Sequence, residues 1–307
     1  MKLIFIGSSE YGIPALEELA MNRQHQILLV ISQPARPKGR NKHLEATPLA
    51  QAAGLLGLEV FTPEDINCET SLCRIRKLQP EIIITASYGA FLGRDLRKTA
   101  LCINLHPSLL PRYRGASPIR TAILNGDEAS GNTIFRLTAR MDAGPILVQQ
   151  GLNINSHENY SSLHNRLANH AALLLLQYLE TPDSYLEKAQ DEGMATYTEM
   201  FSKSDTHLNW NKPYGLILNT IRAYADEPGA YTIFREKELK ILEAHAEQPG
   251  SAAEPGTIRK ITKNKGFTIT ARDGEILITK VQAAGKKAMD AWAFYLGARL
   301  EPGEKVG

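Results

Sequence analysis

The chain has 307 residues, of which 43% are hydrophobic and 22% are charged, and its formal net charge is +2 at pH 7. These proportions match those of globular proteins and exclude wholesale disorder, while the length suits two domains. No apolar run approaches the ~18 residues of a membrane span, and the first residues lack the pattern of a signal peptide, so we expect a cytoplasmic protein that binds no membrane.

Apolar strands alternate with helices in the first part of the chain. Strands are predicted at Lys2–Ile6, Ile27–Ser32, Leu58–Phe61, Glu81–Ala86 and Leu101–Leu105. Helices are predicted at Pro14–Met21, Leu44–Ala53 and Cys68–Leu78, and the stretch 33–46, with its prolines and a glycine, is predicted to be a loop. Because apolar strands separated by helices form a parallel sheet covered on both faces, this part predicts an α/β domain with a mostly parallel sheet.

The middle of the chain has a different pattern. Antiparallel strands are predicted at Asn132–Thr138 and Ile146–Leu152, around a turn at Asp142-Ala143-Gly144, and a long helix is predicted at Leu163–Leu179. The residues after this helix are polar and have few apolar repeats. We therefore expect a first domain over residues 1–190, a linker over 191–205 and a second domain over 206–307.

The second domain is predicted to be mostly β. A helix is predicted at Pro213–Tyr224, and short strands follow at Ala230–Phe234, Leu239–Glu243, Gly256–Ile261, Phe267–Ala271 and Ile276–Val281. Short strands at near-regular spacing indicate a small β-barrel of the oligonucleotide-binding (OB) type, with a β-sandwich as the alternative.

Residues capable of chemistry are concentrated in NLHPSLLPRYRG, residues 104–115, which begins at the end of a predicted strand. Open α/β sheets bind ligands at this end of their strands, and Asn104 and His106, two positions apart, would face the same side. An amide such as that of Asn104 can stabilise a developing oxyanion, and a carboxylate such as that of Asp142 can favour a charged histidine. Together these side chains suit acyl transfer without a nucleophilic side chain.

Each of these residues also has an ordinary structural interpretation. His106 could be a hydrogen-bonded structural histidine, Asp142 a turn residue and Asn104 a strand-end cap. The cysteines and the other histidines lack metal-ligand spacing, so no metal site is predicted. Residues 7–12, GSSEYG, lack the G-x-G-x-x-G pattern, and the chain contains no G-x-x-x-x-G-K-[ST], so neither NAD nor ATP is expected.

The 104–115 segment, with ASPI at 116–119, GD at 126–127, GNTI at 131–134 and MDAG at 141–144, resembles the formyltransferase family that uses 10-formyltetrahydrofolate. The resemblance implies a Rossmann-like N-terminal formyltransferase domain and a catalytic trio of Asn104, His106 and Asp142. It also implies that the folate donor is held by three segments, namely Ser87, Tyr88 and Gly89; Ser108, Leu109, Leu110 and Pro111; and Ala139, Arg140, Met141 and Asp142.

Other segments are similar to the branch of this family that formylates methionyl-initiator tRNA. They are the basic stretch 32–44 and, toward the C-terminus, NW at 209–210, PGA at 228–230 and GKKAM at 285–289. The resemblance implies a tRNA partner, contacted through Arg36, Lys38, Arg40, Lys42, Lys203, Lys286 and Lys287, and we expect a monomer. On charge alone, the basic stretch is equally consistent with a solvated loop that has no partner.

The chain departs from the family pattern at several positions. GSSEYG at 7–12 replaces G-T-P-x-F-A, Asn209 replaces an aspartate, and Asp226-Glu227 replaces a pair that contains an aromatic residue. The sequence leaves three alternatives open: formylation of an amino-sugar nucleotide or small amine, RNA binding without catalysis, and hydrolysis of the folate donor. The intact trio argues against the second.

Overall fold

The computed structural model describes residues 1–38, 43–249 and 253–307, and the chain forms two compact units. The first unit consists of Met1–Pro118, Ala129–Asn153 and His164–Thr198, and the second consists of Ile119–Glu128, Ile154–Leu163 and Glu199–Gly307. This division places two short internal segments, Ile119–Glu128 and Ile154–Leu163, in the C-terminal unit. The domain boundaries expected from the sequence stay predictions.

Within the described residues, the chain up to Thr198 contains eleven strands and six helices. The strands are β1 (Lys2–Gly7), β2 (Gln26–Ile31), β3 (Arg36–Lys38), β4 (His43–Glu45), β5 (Val60–Phe61), β6 (Ile82–Ala86), β7 (Leu101–His106), β8 (Arg114–Gly115), β9 (Ala129–Arg136), β10 (Ile146–Asn153) and β11 (Tyr197–Thr198). The helices are α1 (Ile13–Met21), α2 (Pro48–Leu55), α3 (Glu69–Leu78), α4 (Arg94–Arg97), α5 (Pro118–Asn125) and α6 (Tyr160–Glu180).

A seven-stranded sheet in the order β10-β9-β7-β6-β1-β2-β5 forms the centre of the first unit. β1, β2, β5, β6 and β7 run parallel, β9 is antiparallel to its neighbour β7, and the edge strand β10 is antiparallel to β9. Every residue of β6 and all but the first of β1 are buried, as expected for continuous apolar strands covered on both faces. The predicted α/β fold with a mostly parallel sheet is confirmed.

The stretch 33–46 differs from its prediction as a loop. It contains β3 and β4, which pair as an antiparallel hairpin, and the helix expected from Leu44 begins instead at Pro48. The side chain of Thr47 accepts a hydrogen bond from the Ala50 N–H and caps α2, and proline is favoured in a first helical turn. The capping threonine and the proline therefore set the start of α2.

The second unit is built on an antiparallel sheet. Its strands are β12 (Ala230–Phe234), β13 (Lys237–Pro249), β14 (Ile258–Thr262), β15 (Gly266–Thr270), β16 (Gly274–Ala283) and β17 (Met289–Asp290), and its further helices are α7 (Tyr214–Ala223) and α8 (Ala291–Ala298). The sheet order is β12-β13-β16-β15-β14, with β17 paired to β16. The predicted small β domain is confirmed, while α8 was not predicted because AWAFYLGA has no helical periodicity. None of the helices in the described ranges is long and apolar enough to cross a membrane.

Candidate active site

The carboxyl end of β7 carries the first two residues of the expected trio. Asn104 and His106 lie on one face of the strand; Asn104 is half-buried and His106 is 5% exposed. On the adjacent strand β6, Thr85 Oγ1 lies 2.6 Å from Asn104 Oδ1 and 3.0 Å from the carbonyl oxygen of Ile103. In the part of the chain that the structure describes, Thr85 is the one hydrogen-bond partner of the Asn104 side chain.

The two ring nitrogens of His106 have different surroundings. Nε2 lies 2.8 Å from the carbonyl oxygen of Tyr113, and because a carbonyl oxygen only accepts, Nε2 carries a proton. Nδ1 lies 3.9 Å from Asp142 Oδ2, which also accepts a 2.8 Å hydrogen bond from the Gly115 N–H. The Phe135 ring packs edge-on at 6.3 Å between centroids. The ring is thus fixed with Nδ1 toward the carboxylate.

The turn that carries Asp142 is tightly constrained. Asp142 has a φ of 49°, in the left-handed region. A Cβ on Gly144 would lie 1.7 Å from the carbonyl oxygen of Arg136, so only glycine fits there. The Gln190 amide donates hydrogen bonds to the carbonyl oxygens of Asp142 at 2.9 Å and Gly144 at 2.7 Å. The turn is therefore constrained by its close approach to Arg136 and by the hydrogen bonds from Gln190.

Gln190 is itself anchored by a buried arginine. Arg114, whose side chain is 0% exposed, donates from Nε and Nη2 to Gln190 Oε1 at 3.1 and 2.8 Å and pairs with Glu192 at 3.0 Å. Hydrogen bonds from Arg114 and Arg140 lower the pKa of Glu192 to about 2, so this carboxylate stays ionised at neutral pH. The network ties the chain from 190 to 192 to the 104–115 segment.

This network was missed by the sequence analysis, which assigned residues 191–205 to a linker. The segment is polar, but it contains β11, which pairs in parallel with β8, and Thr198 Oγ1 accepts a hydrogen bond from the Ser117 N–H at 3.1 Å. Two-residue strands have too little alternation to be recognised from a pattern. The isolated Gln190 gave no sequence signal for its contacts.

We expect Gln190→Leu to release the Asp142 turn. The variant loses two hydrogen bonds to buried or half-buried carbonyl groups, at roughly 1 kcal/mol each, and also the two that Gln190 accepts from Arg114, so local opening should rise by about tenfold or more. Hydrogen exchange of the peptide that spans 139–146 measures this. The matched control is Gln51→Leu, which removes an exposed glutamine of α2 that donates to one carbonyl, that of Ala46. Unchanged exchange in 139–146 would show that Gln190 does not hold the turn.

The segments expected to hold a folate donor reach the same edge of the sheet as the trio. Ser87 and Gly89 follow β6 directly, with φ of 49° and 81°, and a Cβ on Gly89 would meet no atom within 4 Å. Tyr88 between them is buried, and burial raises its pKa to about 12, so its hydroxyl stays protonated at neutral pH. The 87–89 segment thus leaves open space beside Gly89.

The two other segments differ in their exposure. Ser108 and Leu110 are buried, and their backbones are tied to Thr133, whose hydroxyl donates to the Ser108 carbonyl and accepts from the Leu110 N–H. By contrast, Ala139, Arg140 and Met141 are exposed, with Met141 62% exposed. The 108–111 segment is held in place by hydrogen bonds, and the 139–142 segment offers exposed side chains to a ligand.

The basic residues expected to contact tRNA have different placements. In the first unit, Arg36 is exposed on β3, the backbone of Lys38 is in the same strand, and Arg40 and Lys42 lie outside the described residues. In the second unit, Lys286 and Lys287 are exposed in the turn from β16 to β17, whereas Lys203 is paired with Glu238 at 2.7 Å. Among the described residues, no group of three or more His, Cys, Asp or Glu side chains could hold a metal ion.

Known proteins resemble this chain along its whole length. Residues 1–179 match the family model for formyl transferase, and residues 200–299 match the model for its C-terminal domain. The chain is 38% identical over 315 residues to the methionyl-tRNA formyltransferase of Roseiflexus castenholzii and 36% identical over 311 residues to that of Moorella thermoacetica. Each alignment covers 100% of this chain and 99% of the relative.

A solved structure with the same fold is an N-formyltransferase from Helicobacter canadensis in complex with folinic acid and dTDP-3-aminofucose. It is 20% identical to this chain, with a TM-score of 0.65, and the match covers 92% of this chain and 99% of that one. At this identity the likeness shows the fold.

Proposed function

The chain belongs to the methionyl-tRNA formyltransferase family, and we propose that it transfers a formyl group from 10-formyltetrahydrofolate to the α-amino group of methionyl-initiator tRNA. The observation that carries the site assignment is the convergence of Asn104, His106 and Asp142 at one strand end, with His106 Nδ1 3.9 Å from the carboxylate. A formylated initiator of this kind serves the start of translation.

The reaction begins with a neutral amine. A free α-amino group titrates near pH ~8, and an ester-linked one lower, so a useful fraction is neutral at pH 7. The amine nitrogen attacks the formyl carbon, a new carbon–nitrogen bond forms, and the carbonyl oxygen becomes an oxyanion. The bond from carbon to the folate nitrogen then breaks, and the proton lost by the amine goes to that nitrogen.

The trio stabilises the charge that develops in this step. The Asn104 amide donates to the oxyanion, and the protonated His106 ring places a positive charge beside it. The Asp142 carboxylate lies 3.9 Å from Nδ1, and the Tyr113 carbonyl fixes Nε2, so the ring keeps one orientation. No nucleophilic side chain is required, because the acyl donor is already activated and the acceptor amine attacks it directly.

The folate donor would be held by the segments 87–89, 108–111 and 139–142. The open space beside Gly89 and the exposed Met141 side chain support this placement, since a flat heterocycle needs an accessible slot with apolar surface. The buried 108–111 segment would form the rigid side of that slot. The donor supplies the activated one-carbon unit, and the chain supplies orientation and charge.

The acceptor tRNA would be bound by basic side chains in both units. The methionyl-tRNA formyltransferases that match this chain over its full length support a tRNA acceptor over a small amine. Phosphate contacts from Arg36, Lys38, Arg40, Lys42, Lys203, Lys286 and Lys287 would position the tRNA without reading its sequence.

The test of this function is transfer of labelled formyl from 10-formyltetrahydrofolate to charged initiator tRNA. We expect label on methionyl-tRNA, none on an amino-sugar nucleotide, and no formate release in the absence of an amine. Label on the sugar nucleotide alone would assign the small-amine function, and release of formate without acceptor would assign donor hydrolysis. Binding of tRNA with no transfer would assign an RNA-binding protein.

Replacing Lys286 and Lys287 together by glutamine is expected to weaken tRNA binding. If both contact phosphates, the slope of log Kd against log salt should fall by about 2 in magnitude, because fewer counterions are released. The KM for the folate donor should not change. The charge-matched control is Arg23→Gln with Lys77→Gln, two exposed positions in the first unit. An unaltered salt slope would remove these lysines from the tRNA surface.

A further inference from the structure

A buried threonine beside the trio has a hydroxyl directed at a catalytic amide. Thr85 is 3% exposed, and it lies directly opposite Asn104 in the parallel pairing of β6 with β7. Its Oγ1 lies 2.6 Å from Asn104 Oδ1 and 3.0 Å from the Ile103 carbonyl oxygen. Both neighbours are acceptors and the hydroxyl has one proton, which the shorter contact assigns to Asn104 Oδ1.

The direction of this hydrogen bond determines which end of the amide is available. Because a donor hydroxyl occupies Oδ1, the Nδ2 group points the other way, and within residues 1–38, 43–249 and 253–307 it has no hydrogen-bond partner. An oxyanion requires a donor, so only this orientation of the Asn104 amide stabilises the developing charge. The reverse orientation would present the carbonyl oxygen and repel it.

We propose that Thr85 is a positioning residue, which sets the amide orientation of Asn104 so that Nδ2 is presented to the oxyanion during formyl transfer. The proposal rests on the proposed function. Thr85 acts through Asn104 and contacts no reacting atom. The Thr85 hydroxyl favours one orientation of the Asn104 amide over the other. The strand backbone alone cannot do so, since both orientations of a carboxamide have the same shape.

The variant Thr85→Val tests this role, because it keeps the branched shape and removes the hydroxyl. We expect kcat to fall about tenfold to hundredfold, as for a misoriented catalytic group, while the KM for donor and for tRNA changes little. Thr85→Ser restores the hydroxyl and should recover most of the lost turnover. Thr270→Val is the matched control, since it removes the hydroxyl of a buried strand threonine in the second unit and should leave kcat unchanged.

A double-mutant cycle separates positioning from a structural role. In an Asn104→Ala background, Thr85→Val should lower kcat by less than about twofold, since the amide that it orients is absent. An equal loss in both backgrounds, or a loss that Thr85→Ser does not recover, would overturn the proposal. If valine prevents folding, Thr85→Ala is taken through the same cycle. Failure of the wild-type chain to formylate methionyl-tRNA would overturn the proposed function and this inference with it.

Discussion

His106→Ala is expected to lower kcat for formylation of methionyl-tRNA by about 10²–10³, with tRNA binding largely kept. In the proposed reaction the ring stabilises the oxyanion, and alanine removes the imidazole while Asp142 keeps its hydrogen bond from the Gly115 N–H. The affinity for tRNA depends on basic side chains elsewhere, so it should change by less than about threefold. Single-turnover transfer of labelled formyl and a filter-binding titration measure the two quantities on the same preparation.

The control for this variant is His245→Ala, which removes an exposed histidine of β13 that is paired with Glu243. We expect wild-type turnover from it. Turnover by His106→Ala within about threefold of wild type would show that the ring is structural, as one reading of the sequence allowed. Loss of tRNA binding together with turnover would point to a disturbed fold, which the melting temperature checks.

Gly144→Ala should have the second large effect, because it displaces the turn that carries Asp142. The added Cβ would lie 1.7 Å from the Arg136 carbonyl oxygen, a distance that only backbone movement can relieve. A shift of about 1 Å in a catalytic group costs roughly a hundredfold in rate, and overpacking costs about 1–3 kcal/mol of stability. We therefore expect both kcat and the free energy of unfolding, measured by urea denaturation, to fall.

Gly54→Ala is the matched substitution, since a Cβ at this exposed position of α2 meets nothing within 4 Å. Alanine has the higher helix propensity, so we expect unchanged kcat and stability that is equal or higher by up to about 1 kcal/mol. Wild-type turnover in Gly144→Ala would mean that the turn adjusts without moving Asp142, and the proposed role of its rigidity would be wrong.

The parallel core could be predicted because its strands are continuous apolar runs. In a chain of alternating strands and helices, the apolar runs Lys2–Ile6 and Glu81–Ala86 are best interpreted as buried strands. They match β1 and β6 to within one residue at each end. The pairing of β3 with β4 could not be predicted, since Arg36, Pro37 and residues 43–45 are exposed and carry no alternation. The sequence predicts best the elements that are stabilised by burial.

The same distinction applies to the site. Asn104 and His106 could be placed on one side of a strand end because side chains alternate with a period of two. Asp142 could be named as a candidate, but its approach to His106 depends on a turn with positive φ and on contacts with residues far along the chain. Thr85 and Gln190 act through single hydrogen bonds across the fold, and no local pattern marks such residues.

The Arg114 network determines where the first unit can be cut. A fragment that ended with α6, at Glu180, would retain every residue of the trio but lose Gln190, Glu192 and β11. The Arg114 guanidinium, which has no exposed surface in the intact chain, would then lose its hydrogen bonds to Gln190 and its ion pair with Glu192. A truncated chain that keeps this network therefore has to extend through Thr198, well past α6.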